Sequence, residues 1–164
     1  MVSTSPRRRY LAWLLRHLSF YPPYVGAGIR VAADDPGGVY RVRKKLAPST
    51  RNAFGTHFGG SLYSMCDPFF ALILIEQLGH GYTVWDKAST IDFLRPGRGT
   101  VSATFQIPHE QVEEIRELAD AGQVVEPVFE VDVVDESGSV VARVTKTLHV
   151  KITSQRRVEP GARP

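Results

Sequence analysis

The chain has 164 residues, 43% hydrophobic and 23% charged, with a single cysteine, Cys66. That balance fits one folded domain with its own core and excludes a disordered tail protein, a collagen-like chain and a disulfide scaffold. The net charge of +3 belongs to the ends: Arg7, Arg8 and Arg9, with Arg156, Arg157 and Arg163 against Glu159, put residues 1–9 and 154–164 together at +5 and leave the body at −2. The pI near 9.2 is therefore no argument for nucleic-acid binding.

Taken in chain order, Leu11, Leu14, Leu15 and Leu18 share one helical face, with Ser5 as N-cap and Pro6 at the first helical position. Arg16 and His17 interrupt the apolar run and no small-x-small cleavage motif follows, so the segment reads as a short helix on the domain, ended by Pro22-Pro23, not a signal peptide. Residues 29–33 and 39–45 predict two strands around the turn Asp34-Asp35-Pro36-Gly37-Gly38. Residues 46–58 predict a polar loop. Residues 59–78 predict a helix that is apolar nearly all round, hence buried on most sides, and closed by Gly79. The apolar run within it, Leu62 to Ile75, contains Asp67 and Pro68 and is shorter than the roughly 20 residues of a spanning helix. Residues 82–94 and 100–107 predict strands around the turn Arg95-Pro96-Gly97-Arg98-Gly99, and residues 108–121 an amphipathic helix with Val112, Ile115, Leu118 and Ala119 on one face. Residues 128–135 and 140–152 predict a hairpin about Glu136-Ser137-Gly138, with Val140, Ala142 and Val144 alternating with polar positions. The order is that of an α+β domain, an antiparallel sheet wrapped around one hydrophobic helix.

The stretch from Asn52 to Asp67 carries the chemistry. A helix N-terminus offers free N–H groups to an anion or a developing oxyanion, and Gly59 and Gly60 permit close approach there. Asp67 follows Gly60 by seven residues, about 700° of helix, so the two share a face some ~10 Å apart. One carbonyl carbon cannot reach both within one chain. Two antiparallel copies of the helix across a twofold axis near Tyr63 and Ser64 bring Gly60 of one to Asp67 of the other, which predicts a homodimer at minimum with two composite sites and leaves pairing into tetramers open. Pro68 directly after Asp67 predicts a kink that frees the Ser64 carbonyl. Asn52 reads equally as a turn residue, His57 as a loop histidine that orients the helix start or as a proton carrier, and Cys66 as a small buried residue.

These residues resemble the hotdog-fold thioesterase superfamily, in particular its phenylacetyl-CoA type, over roughly residues 26–152. Family members carry an Asn, a His-Gly-Gly and an Asp seven residues after the second glycine. Gly-Thr-His-Phe-Gly-Gly, Val-Trp-Asp-Lys and Arg-Pro-Gly-Arg-Gly also match an uncharacterised hotdog branch. The resemblance implies a hotdog domain over residues 26–153, with an N-terminal helical extension over 1–25 and a flexible basic tail over 154–164. It implies an acyl-CoA thioesterase in which Asn52 and the Gly59/Gly60 amide hold the thioester carbonyl. Asp67 activates water or attacks directly, and Asp86, ten positions before Pro96, orients the water. Phe58 separates His57 from Gly59, a departure from the family pattern. Tyr63, Met65, Phe69 and Phe70 are the candidate acyl-pocket residues, and Arg95 and Arg98 the candidates for a CoA phosphate. CoA enters only as part of the substrate. The histidines show no metal-ligand spacing, so no metal is expected. A reducing cytoplasm is the expected setting, without nucleic acid or stable membrane insertion. The alternative is a hotdog protein that binds an acyl group or CoA without hydrolysis.

Overall fold

In the computed structural model, which describes residues 17–35 and 38–153, six antiparallel strands run in the order β1-β2-β4-β5-β6-β3. They are β1 (Ile29–Asp35), β2 (Val39–Lys45), β3 (Tyr82–Phe93), β4 (Thr100–Phe105), β5 (Val128–Asp135) and β6 (Val140–Ile152). The turns after β1 and β5 close true hairpins, because β1 pairs with β2 and β5 with β6. The Arg95–Gly99 turn does not: it joins β3 to β4, which lie apart in the sheet. β3 instead pairs along its length with β6 and forms one edge of the sheet.

The expected helical face of Leu11, Leu14 and Leu15 lies outside the described residues, while Leu18 is buried in a 3-10 turn, Leu18–Phe20. Pro22 and Pro23 do more than end that segment. They open a new helix, α1 (Pro22–Ala27), at positions where a missing N–H has no helical acceptor anyway.

The central helix is two pieces, α2 (Gly59–Ser64) and α3 (Phe69–Leu78). Between them the chain tightens: the N–H groups of Cys66 and Asp67 reach only to Tyr63 and Ser64, at 2.8 and 3.4 Å. Pro68 has no N–H for the Ser64 carbonyl. The Tyr24 hydroxyl donates there instead, at 3.0 Å. α3 is buried on most sides, as its composition requires, with Phe69, Phe70, Ile73, Leu74 and Leu78 inside. Phe69 stacks on Phe105 and Phe70 on Phe129, with ring centroids 4.6 and 4.9 Å apart. Truncating such a ring costs about 3–5 kcal/mol.

Helix α4 (His109–Asp120) buries Val112, Ile115 and Ala119. Its Arg116 donates to the carbonyls of Gln77 and Leu78, both at 2.8 Å, so it caps the C-terminal end of α3, the end away from Gly59. The described residues contain no helix long and apolar enough to cross a membrane.

Candidate active site

Asp67 sits in the break between α2 and α3, its side chain 50% exposed. Lys146 of β6 reaches it from the sheet. The ammonium contacts the Asp67 backbone carbonyl and its Oδ1 at 3.2 Å, and meets Asp86 Oδ2 at 2.9 Å. The Lys146 side chain is fully buried, and that of Asp86 is 33% exposed. A buried charge of this kind is tolerable only when paired and hydrogen-bonded. Here the three N–H donors of the ammonium meet three oxygens. Tyr63 completes the cluster: its ring lies 5.8 Å from the Lys146 Nζ and its phenol faces both Asp67 and Ser89. Burial holds that phenol above its ordinary value, so it remains a donor.

Two of the sequence candidates, Asp67 and Asp86, are thus brought together within one chain, through a third residue that sequence reading missed. A β-bulge makes this possible. Asp86 lies opposite Leu148 and Ser89 opposite Lys146, with the register shifting between Asp86 and Ala88. Residues three apart on a regular strand face opposite sides. The extra residue, Lys87, lets Asp86 and Ser89 both face inward. Lys87 itself pairs with Glu126 at 2.6 Å.

The loop before α2 is built around Asn52. Its Oδ1 accepts from the N–H groups of Phe54 and Thr56, at 2.9 and 3.1 Å. Its Nδ2 donates to Thr56 Oγ1 at 2.9 Å and to the His57 carbonyl at 3.2 Å. Both of its amide hydrogens are engaged inside the turn, which is the turn role the sequence offered. His57 is 3% exposed. Its N–H donates to the Gly97 carbonyl at 3.1 Å, its Nε2 lies 3.2 Å from the Gly99 carbonyl, and its Nδ1 is buried without a partner. It ties the loop before α2 to the Arg95–Gly99 turn. Burial, then the charge of Lys44, hold its imidazole below the ordinary histidine range.

Gly59 and Gly60 open α2, where the first N–H groups have no intrahelical acceptor. Their missing side chains make room for the chain's own aromatic rings. A Cβ at Gly59 would stand 2.7 Å from the Phe93 ring, and one at Gly60 2.6 Å from the Phe58 ring. Phe58 and Phe93 are both more than half exposed. A recess of about 310 Å³ lies beside this helix start, lined by Ala27, Thr50, Arg51, Phe58 and Ser61 among others. Arg95 and Arg98 are exposed on the turn that His57 grips.

Three candidates for an acyl pocket are buried in the core of the chain. Phe69, Phe70 and Met65 are 0%, 3% and 0% exposed; α3 turns the two rings into the sheet, and Met65 lies in the break before it. Cys66 is also buried; desolvation pushes its thiol up to about 12, unsuited to nucleophilic attack. Among the described residues no group of three His, Cys, Asp or Glu side chains is placed to hold a metal ion.

A family model described as a domain of unknown function, DUF4442, matches residues 12–150. Among solved structures, the probable thioesterase PA5026 of Pseudomonas aeruginosa, itself described as of unknown function, aligns with a TM-score of 0.77 at 21% identity, over 87% of this chain and 96% of that one. The Escherichia coli PaaI protein from the phenylacetic acid degradation operon aligns with a TM-score of 0.57 at 25% identity, over 88% and 95%. The thioesterase HI1161 of Haemophilus influenzae aligns at 0.61 and 18% identity, over 93% and 94%. No curated protein matches the chain. The curled six-stranded sheet around a central helix is the hotdog fold that the sequence resemblance implied.

Proposed function

The chain belongs to the DUF4442 family, and from that premise we propose that it is a thioesterase that hydrolyses acyl-CoA at a site shared between two subunits. The observation that carries this reading is Asp67 itself: a half-exposed carboxylate at the break of a buried apolar helix, held from behind by a buried lysine. The pair with Lys146 fixes the carboxylate while half of its side chain stays open to solvent, as a group that meets a substrate requires. The thioesterase names of PA5026 and HI1161 support the same reading.

In the proposed reaction Asp67 takes a proton from water as the hydroxide oxygen bonds to the thioester carbon. The carbonyl electrons move onto oxygen, and the Gly60 N–H of the partner subunit donates a hydrogen bond to that oxyanion. The C–S bond then breaks, and the thiolate of CoA leaves with the proton that Asp67 carried. Attack by Asp67 itself through a mixed anhydride is the variant with the same residues. Gly60 opens α2 while Asp67 lies beyond its end, in the break before α3, which favours a composite site, and among the described residues β3 is an edge strand that a second copy can meet. Arg95 and Arg98, exposed beside the helix start, suit the phosphates of CoA.

Release of free CoA from a panel of aliphatic and aromatic acyl-CoAs tests this. Asp67→Asn is expected to lower kcat by about 10²–10⁴-fold in a protein that still folds, since Asp86 remains to pair with Lys146; an unaltered rate contradicts the role of Asp67. A second reading, binding without hydrolysis, is favoured by one observation: the Phe58 ring packs on Gly60. Tight acyl-CoA binding by wild-type protein with no CoA released selects it.

A further inference from the structure

We infer that Lys146 is the positioning residue for Asp67, and that Asp86 acts through Lys146 instead of on the attacking water; this rests on the thioesterase reading above. The central helix cannot hold Asp67 by itself. Pro68 breaks it at that point, and Asp67 N–H makes only a 3.4 Å bond to Ser64. What fixes the carboxylate is a strand. Lys146 belongs to β6, which is paired on both sides, with β5 and with β3. From that rigid base its ammonium holds both the backbone carbonyl and Oδ1 of Asp67. Two contacts to one residue set the backbone and the side chain together.

Asp86 has a different place. Its Oδ2 is occupied by the ammonium at 2.9 Å, which satisfies the third donor of a buried lysine. Lys146 is fully buried, so it does not touch substrate and is not a catalytic residue. Its effect on the reaction passes through where the Asp67 carboxylate stands. Small displacements of a reacting group cost large factors in rate.

The test is steady-state hydrolysis of the best acyl-CoA, with thermal unfolding measured on every variant. Lys146→Met keeps the length and removes the charge. It is expected to lower kcat roughly 10–100-fold with KM within about twofold, and Lys146→Arg is expected to recover part of the loss. Asp86→Asn is expected to lose only a few-fold in kcat, and nothing further in the Lys146→Met background, as coupling through one residue requires. The double variant Lys146→Met/Asp86→Asn leaves no unpaired charge buried and serves if Lys146→Met alone does not fold. Wild-type kcat in a folded Lys146→Met or double variant overturns the role of Lys146. A loss with Asp86→Asn as large as with Asp67→Asn, persisting without Lys146, overturns the role given to Asp86. Two further results separate the levels: if wild-type protein releases no CoA the thioesterase reading fails, and if Asp67→Ala is dead while Lys146→Met is normal only the positioning inference fails.

Discussion

The hydroxyl of Tyr24 donates to the carbonyl of Ser64 at 3.0 Å, replacing the helix hydrogen bond that Pro68 cannot make. A residue of the short helix α1 thereby stabilises the break that exposes Asp67. Tyr24 is 3% exposed and burial holds its phenol well above the usual range, so it stays a donor.

Tyr24→Phe keeps the ring and removes only that donor. It is expected to destabilise the protein by about 0.5–1.5 kcal/mol, the net worth of one hydrogen bond, because the Asp67 N–H still reaches the Ser64 carbonyl at 3.4 Å. Urea unfolding of both proteins measures it. An unchanged midpoint means that the break needs no help from α1.

His57 gives a pH dependence of known sign. Its imidazole is held below the ordinary value of 6.5, first by burial and then by Lys44, against a smaller opposite pull from the Gly99 carbonyl. The unfolded chain therefore binds a proton at a pH where the folded one does not, and stability falls as pH drops below 6.5. Between about pH 7.5 and about pH 5.5 the unfolding free energy of wild-type protein is expected to drop more than that of His57→Gln. Parallel curves would mean that His57 does not change its protonation on folding.

The strands were legible because apolar and polar residues alternate along them, and the turns because Gly, Pro and Asp cluster between them. The kink at Pro68 and its freed Ser64 carbonyl were legible too, since proline acts locally. Lys146 was not. The run Val140, Ala142, Val144 continues inward at residue 146, then at Leu148 and Val150. A lysine in that apolar phase was the available signal for a buried charge, and for a carboxylate waiting to receive it. Lys44 breaks the same rule on β2, where it is fully buried and donates to the Ala27 carbonyl at 2.7 Å. The meeting of Asp86 with Asp67 was hidden for another reason. It depends on the bulge at Lys87, which no alternation pattern marks, and on pairing between β3 and β6, more than fifty residues apart in the chain.

Cys66 should be silent in the folded state. Desolvation, with Asp67 nearby and Lys146 opposing, leaves its thiol raised to about 12. A colorimetric thiol reagent at about pH 8 is expected to find no reactive thiol in native protein and one per chain in denaturant. Rapid native labelling would show that the broken helix opens to solvent. The same result decides whether a thiol-detecting CoA assay needs correction.

Subunit complementation addresses the shared site most directly. Gly60→Pro removes one N–H in the first turn of α2 and requires the exposed Phe58 ring to turn aside, and Asp67→Asn removes the base. Co-expressed under two tags, the two chains yield heterodimers in which one site carries both changes and the other carries neither. Each variant alone is expected to be inactive, and the tandem-purified heterodimer to recover about half the wild-type rate per dimer. Heterodimers as inactive as their parents, or no heterodimer at all, would contradict a site built from Gly60 of one subunit and Asp67 of the other.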